Sequence, residues 1–141
     1  MKLNHLNLCV DDLSEARVFF ETYFDFQTLE EKGKALVVMS DNDGFILVLS
    51  DPKAFKGGKD AIYPEPFHIG FLVEEPNKVD QVYNRLIEGG IEIDKEPYKM
   101  RGNSYGFYFT VFNGLLIEVS CLDYKDGKRI SKLNVTKDSK R

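Results

Sequence analysis

Apolar and polar residues alternate at residues 3–10, and a period of two is typical of a β-strand with one buried face. His5 and Asn7 fall on the polar face of this predicted strand. The spacing of apolar residues then becomes helical and stays so up to residues 24–25, which predicts one amphipathic helix. Turn residues separate three further alternating runs, predicted as strands at 26–31, 34–40 and 45–50.

The second half of the chain repeats this order of elements. A strand is predicted at 67–73, and a helix begins at Pro76 and ends before Gly89-Gly90. The dipeptide Asn113-Gly114 between two apolar runs is a strong hairpin signal. The three strands predicted after this helix are 91–96, 105–112 and 115–121.

An offset of 63 residues lays the start of the second half on the start of the first. His5 then falls on His68, and these are the only two histidines of the chain. Such a repeat indicates two copies of one supersecondary unit, each with the order strand, helix, strand, strand, strand. The sequence therefore predicts an α+β fold of two tandem βαβββ modules, with module one at 1–51, a linker at 52–65 and module two at 66–124.

The composition fits one compact globular domain, since 43% of the 141 residues are hydrophobic and 30% are charged. The net charge is −4, although residues 125–141 hold seven Lys or Arg against two Asp. An acidic body with a basic, flexible tail argues against nucleic acid as the main partner. No apolar run approaches the roughly 20 residues of a membrane helix, and no signal peptide is visible, so we expect a cytoplasmic protein without a membrane partner.

Aligning the hairpin glycines of the two halves places Glu118 in the slot that Val48 occupies in the first half. Glu118 interrupts an apolar strand, where an ionised carboxylate is costly unless it is paired or bound to a cation. Together His5, His68 and Glu118 form a two-His-one-carboxylate set, which binds one divalent metal ion and leaves positions open for water and substrate. These ligands suit Zn, Mn, Ni, Co or Fe(II) without choosing among them.

This set of residues resembles the vicinal oxygen chelate superfamily, which includes glyoxalase I, extradiol dioxygenases, methylmalonyl-CoA epimerase, fosfomycin-resistance enzymes and bleomycin-binding proteins. The resemblance covers residues 3–122 and implies two βαβββ modules that form a curved mixed sheet with a metal-binding cleft. It implies His5, His68 and Glu118 as the metal ligands. Val48 stands where glyoxalase I and the epimerase have a fourth ligand, which favours the members with three ligands.

Among the three-ligand members, two segments are similar to the fosfomycin-resistance enzymes, namely LNHLNLCVDDL at 3–13 and GFYF at 106–109. Asn7 stands where the glutathione-using members have a catalytic threonine. The segment RGNSYG at 101–106 stands in place of their loop for a monovalent cation. Extradiol dioxygenases use a further histidine for acid–base chemistry, and this chain has no third histidine.

The sequence thus predicts a metal-dependent lyase, transferase or dioxygenase in which the ion chelates two neighbouring oxygens of a small substrate. Tyr108 and Asn7 are the predicted catalytic groups, and Arg101 and Thr110 are predicted to contact the substrate. The alternative is a non-catalytic drug- or metabolite-binding protein of the bleomycin-resistance type. Exposed strand edges and the resemblance predict a homodimer, with each site either within one chain or shared between two.

Overall fold

The computed structural model describes residues 1–122 and, beyond them, the backbone of two short paired strands, Tyr124–Lys125 and Lys128–Arg129. The chain divides into two compact units, Met1–Tyr63 and Pro64–Arg141. The boundary between them falls within the predicted linker. The predicted flexible tail lies outside the described residues except for these short strands.

The first unit is a four-stranded mixed sheet with one helix packed on it. Its elements are β1 His5–Cys9, α1 Leu13–Phe24, β2 Gln27–Lys32, β3 Leu36–Ser40 and β4 Ile46–Ser50. The strand order is β1-β4-β3-β2, with β1 parallel to β4 and the other neighbours antiparallel. The Asp12 side chain accepts a hydrogen bond from the Glu15 amide and thereby caps α1, which ends where Asp25 adopts a left-handed conformation.

The second unit has the same order of elements and the same sheet topology. These elements are β5 His68–Leu72, α2 Pro76–Glu88, β6 Tyr98–Lys99, β7 Tyr105–Val111 and β8 Leu115–Cys121. The strand order is β5-β8-β7-β6, with β5 parallel to β8 and the other neighbours antiparallel. The two units therefore confirm the predicted α+β fold of two βαβββ modules, each with a four-stranded mixed sheet.

The strand predicted at 91–96 is wrong, because the corresponding edge strand is the two-residue β6. Gly90 adopts a φ of 87° directly after α2, so the chain turns there instead of extending along the sheet. Pro97 lacks an N–H and precedes the strand, and pairing with β7 begins only at Tyr98. The alternation at 91–96 therefore lies in an irregular connection.

The core of the second unit lies between α2 and one face of its sheet. Val79 and Leu86 of α2 are completely buried, and so are the residues of β8 that share one face, namely Leu115, Ile117, Val119 and Cys121. Burying an aliphatic side chain of this size contributes roughly 1.5–3 kcal/mol. Because side chains alternate along a strand, the intervening Glu118 is directed to the opposite face of the sheet.

Neither helix in the part of the chain that the structure describes is long and apolar enough to cross a membrane.

Candidate functional site

One face of the second sheet, opposite its helix-covered face, carries His68, Tyr108 and Glu118, and we call it the site face. Glu118 on β8 is in register with Gly70 on β5 and with Tyr108 on β7. His68 precedes Gly70 by two residues, so its side chain lies on the same face. Three adjacent strands thus bring an imidazole, a phenol and a carboxylate together.

The His68 ring is held in one tautomer by the backbone. Its Nδ1 lies 3.1 Å from the Pro66 carbonyl oxygen, and because a carbonyl only accepts, Nδ1–H is the donor. In the neutral ring the lone pair is then on Nε2, which is the arrangement of a metal-ligating histidine whose other nitrogen is oriented by a hydrogen bond. The ring also meets the Tyr108 ring edge-on, with 6.0 Å between the centroids.

Two hydroxyl groups donate to the Glu118 carboxylate. Ser120 Oγ lies 2.9 Å from Glu118 Oε2, and the Tyr108 hydroxyl donates a second hydrogen bond. The pKa of Tyr108 is raised to about 12, chiefly by the bond to Glu118 and to a smaller extent by burial of the phenol. Tyr108 is therefore a protonated hydrogen-bond donor at neutral pH rather than a base.

Gly70 keeps the space beside the carboxylate free of a side chain. A Cβ at this position would lie 3.7 Å from Glu118 Oε2, which is ordinary van der Waals contact. Any larger side chain would cover the carboxylate from the β5 side. The glycine thus leaves Glu118 accessible between β5 and β7.

The equivalent face of the first sheet carries His5, Asn7 and Val48. Asn7 is in register with Val48, as Gly70 is with Glu118 in the second sheet. His5 Nδ1 lies 2.7 Å from Asn4 Oδ1, an acceptor for the ring N–H, which again leaves the lone pair on Nε2. The two predicted histidine ligands therefore occupy equivalent strand positions in the two units.

The second unit brings together two of the three predicted ligands, His68 and Glu118, while His5 belongs to the first unit. Across residues 1–122, no three side chains of His, Cys, Asp or Glu are grouped so that they could hold a metal ion.

Thr110 is exposed on the site face next to Tyr108 on β7. Arg101 is exposed in a short 3₁₀ turn that precedes β7.

Two polar contacts of the predicted residues were not expected from the sequence, namely that of Ser120 with Glu118 and that of Ser50 with Asn7. The Ser50 hydroxyl lies 2.7 Å from Asn7 Oδ1. A signal for both was present, because aligning the two hairpins also lays Ser50 on Ser120. Small polar residues at equivalent places in two apolar strands indicate a shared hydrogen-bonding role.

Comparison with known proteins supports the architecture. The model of the Glyoxalase/Bleomycin resistance protein/Dioxygenase superfamily matches residues 2–119. The fosfomycin resistance protein FosX of Listeria monocytogenes is 25% identical over 118 residues, which are 83% of this chain and 86% of FosX. The structure of a possible glyoxalase from Bacillus cereus is 42% identical, with a TM-score of 0.73 over 86% of this chain and 99% of that one.

A structure of Listeria monocytogenes FosX complexed with Mn(II) and a sulfate ion superimposes with a TM-score of 0.69 at 21% identity. The superposition covers 86% of this chain and 90% of the FosX chain. At 21% sequence identity, this similarity shows that the two proteins share a fold.

Proposed function

This chain belongs to the glyoxalase/bleomycin resistance protein/dioxygenase superfamily, and on that premise we propose that it is a divalent-metal-dependent enzyme acting on a small substrate. The observation that carries the proposal is the site face, on which His68, Tyr108 and Glu118 come from three adjacent strands. An imidazole and a carboxylate on neighbouring strands are donors that first-row divalent metals accept.

We propose His5, His68 and Glu118 as the ligand set. Both imidazoles use Nδ1 in a local hydrogen bond and keep the lone pair on Nε2, which supports a ligand role for each. Val48 in the slot equivalent to Glu118 supports a set of three protein ligands rather than four. When bound, such an ion polarises a substrate oxygen or lowers the pKa of a water molecule toward about 7.

The remaining groups of the chain bind and orient the substrate. Tyr108 keeps its proton and supplies a hydrogen-bond donor next to Glu118, for a substrate oxygen on which negative charge develops. Asn7 offers an amide on the equivalent face of the first sheet, and Thr110 offers a hydroxyl beside Tyr108. Arg101 supplies a guanidinium for an anionic part of the substrate.

A lyase or transferase reaction is favoured over dioxygenation, because the chain has two histidines and both are proposed as ligands. No imidazole then remains for acid–base chemistry. The chemistry that these donors support is chelation of two neighbouring substrate oxygens.

The test is metal binding by protein purified without added chelator. We expect a bound divalent ion, and a rise in melting temperature when Mn(II), Zn, Ni or Fe(II) is added to metal-free protein. Glu118→Gln is expected to remove this rise, whereas Glu92→Gln, at an exposed glutamate in the connection between α2 and β6, is expected to keep it. A wild-type protein without bound metal and without a thermal shift on adding any of these ions would contradict the proposal.

A panel of substrates distinguishes the proposed enzyme from the alternative function, which is binding of a drug or metabolite without turnover. The metal-loaded protein is offered epoxides with thiols or water, and catechols. Product formation that Glu118→Gln abolishes supports the enzyme. Saturable binding without product from any member of the panel supports the binding protein.

A further inference from the structure

Ser50 and Ser120 are the buried polar residues among residues 1–122, with 4% and 6% of their surface exposed. They occupy equivalent places in the two modules. Ser50 pairs with Cys9, two residues beyond the register pair Asn7–Val48. Ser120 pairs with Leu72, two residues beyond the register pair Gly70–Glu118. Both serines share a sheet face with the predicted site residues of their own unit.

The two hydroxyls have different acceptors. In the first unit Ser50 donates across to Asn7 on the neighbouring strand, at 2.7 Å. In the second unit the position equivalent to Asn7 is Gly70, which has no side chain, and Ser120 donates instead along its own strand to Glu118 Oε2, at 2.9 Å. A buried hydroxyl that lost its acceptor would incur a desolvation cost, so the contact is firmly maintained.

The neighbouring strand β7 packs closely against Ser120. Gly106 on β7 is in register with Ser120, and a Cβ at Gly106 would lie 2.7 Å from both Cα and Cβ of Ser120. The β7 backbone therefore lies directly against this serine. Its counterpart Ser50 is in register with Leu36, which has a full side chain.

We propose that Ser120 is a positioning residue that fixes the orientation of the Glu118 carboxylate for metal binding. The inference rests on the proposed function, because it takes Glu118 as a ligand. A carboxylate has about four acceptor sites, and Ser120 and Tyr108 together occupy two of them. The sites that remain have a defined direction, which a freely rotating carboxylate would not provide.

The experiment compares Ser120→Ala with Ser50→Ala, two variants that lose the same hydroxyl at equivalent buried positions. Mn(II) affinity of metal-free protein is measured by calorimetry and by the electron paramagnetic resonance signal of free Mn(II). Loss of a hydrogen-bond partner of a ligand typically weakens metal binding by about 10–100-fold, which we expect for Ser120→Ala. Ser50→Ala is expected to stay within about twofold of the wild type, because Asn7 is not a ligand.

A second variant and a second readout keep the two proposals separable. Ser120→Cys nearly keeps the buried volume but has only a weak hydrogen-bond donor, so its Mn(II) affinity is expected to fall as well. It takes the place of Ser120→Ala in the measurement if Ser120→Ala does not fold. Crystal structures of the metal-free variants are expected to show Glu118 in more than one orientation in Ser120→Ala and in one orientation in Ser50→Ala.

Equal Mn(II) affinities of Ser120→Ala, Ser50→Ala and the wild type would overturn the role of Ser120 while the metal site stands. Absence of Mn(II) binding by the wild type would overturn the proposed function. In that case a single, unchanged Glu118 orientation in metal-free Ser120→Ala would also overturn the positioning role, and a disordered one would support it.

Discussion

At the scale of single residues, the chemistry of the site face is decided by hydrogen bonds to Glu118. A carboxylate on a largely apolar strand needs hydrogen-bond partners, and Glu118 has them in Ser120 and Tyr108. The bond between Tyr108 and Glu118 also keeps the phenol protonated at neutral pH, since it contributes most to raising the pKa of Tyr108 to about 12. Tyr108, predicted from the sequence to be a catalytic group, thus also donates a hydrogen bond to Glu118, the proposed metal ligand.

Tyr108→Phe removes one donor to Glu118 and keeps the ring that meets His68. We expect Mn(II) affinity to fall by about tenfold, as for other partners of metal ligands, and turnover to fall further if the phenol also binds the substrate. Tyr83→Phe is the control, because the Tyr83 ring packs on Phe107, on the other side of the sheet. Calorimetry and steady-state kinetics measure the two effects, and wild-type values for Tyr108→Phe would contradict the prediction.

Tyr63 gives the first unit a pH-dependent stability. Its hydroxyl donates to the Cys9 carbonyl, and burial raises the pKa of the phenol to about 12, with the Asp11 charge acting in the same direction. Because the pKa in the folded state lies above the ordinary value of about 10, this contribution to stability is complete below pH 10 and is lost as the pH rises from 10 to 12.

Urea unfolding between pH 9 and pH 12 measures this loss. Tyr63→Phe is expected to show a smaller decrease in unfolding free energy over this range than the wild type. Part of the decrease remains in the variant, since the pKa of Tyr108 is raised in the same direction. The control variant Tyr23→Phe, whose ring packs on Phe19 in α1, is expected to follow the wild type. Identical pH profiles for Tyr63→Phe and the wild type would contradict the prediction.

At the scale of elements, β8 is the strand on which the second unit depends. It lies between β5 and β7, buries one face against α2 and carries Glu118 and Ser120 on the other. Two glycines on its neighbours serve different purposes. Gly106 allows the β7 backbone to approach Ser120, and Gly70 leaves room beside Glu118.

Gly106→Ala and Gly70→Ala separate these two purposes. A Cβ at Gly106 would lie 2.2 Å from the Val119 carbonyl oxygen, so β7 and β8 must move apart, and we expect a loss of roughly 1–3 kcal/mol in unfolding free energy. Gly70→Ala makes only ordinary contacts and is expected to stay within about 0.5 kcal/mol of the wild type. Chemical denaturation measures both, and equal stabilities would show that the sheet adapts to the added methyl group.

At the scale of the whole molecule, the chain is two copies of one module with different polar residues on equivalent faces. The first unit offers His5 and Asn7, and the second offers His68 and Glu118. Both β1 and β5 pair with a single neighbour in the described part of the chain, so each presents an unpaired strand edge. Unpaired edges favour association, and we propose a homodimer on this ground.

Sedimentation equilibrium at micromolar concentration is expected to give twice the 16.2 kDa of one chain, and the mass of a single chain would contradict the dimer. Mixing His5→Ala with Glu118→Gln subunits then locates the sites. If each site combines residues of two chains, the mixed dimer regains one complete ligand set and binds Mn(II). If each site lies within one chain, mixing restores nothing.

The sequence by itself predicted the two modules, the strand faces and most element boundaries. These follow from local physics, since side-chain direction along a strand has a period of two and the helices begin and end at residues such as Asp12, Pro76 and Gly89. The edge strand at 91–96 was wrong because alternation alone does not tell an edge strand from an irregular connection.

The tertiary structure alone decided which groups interact with the predicted residues. Ser50 and Ser120 are equivalent in sequence, yet one donates to Asn7, 43 positions away, and the other to Glu118, two positions away. The strand register is equivalent in the two units, so the choice depends on which neighbour carries an acceptor: Asn7 beside Val48 in the first unit, and Glu118 beside Gly70 in the second. The register that places these residues next to the two serines is itself set by the packing of whole strands. Alternation along one strand predicts the direction of a side chain, whereas its contacts with the next strand are fixed only when the sheet has formed.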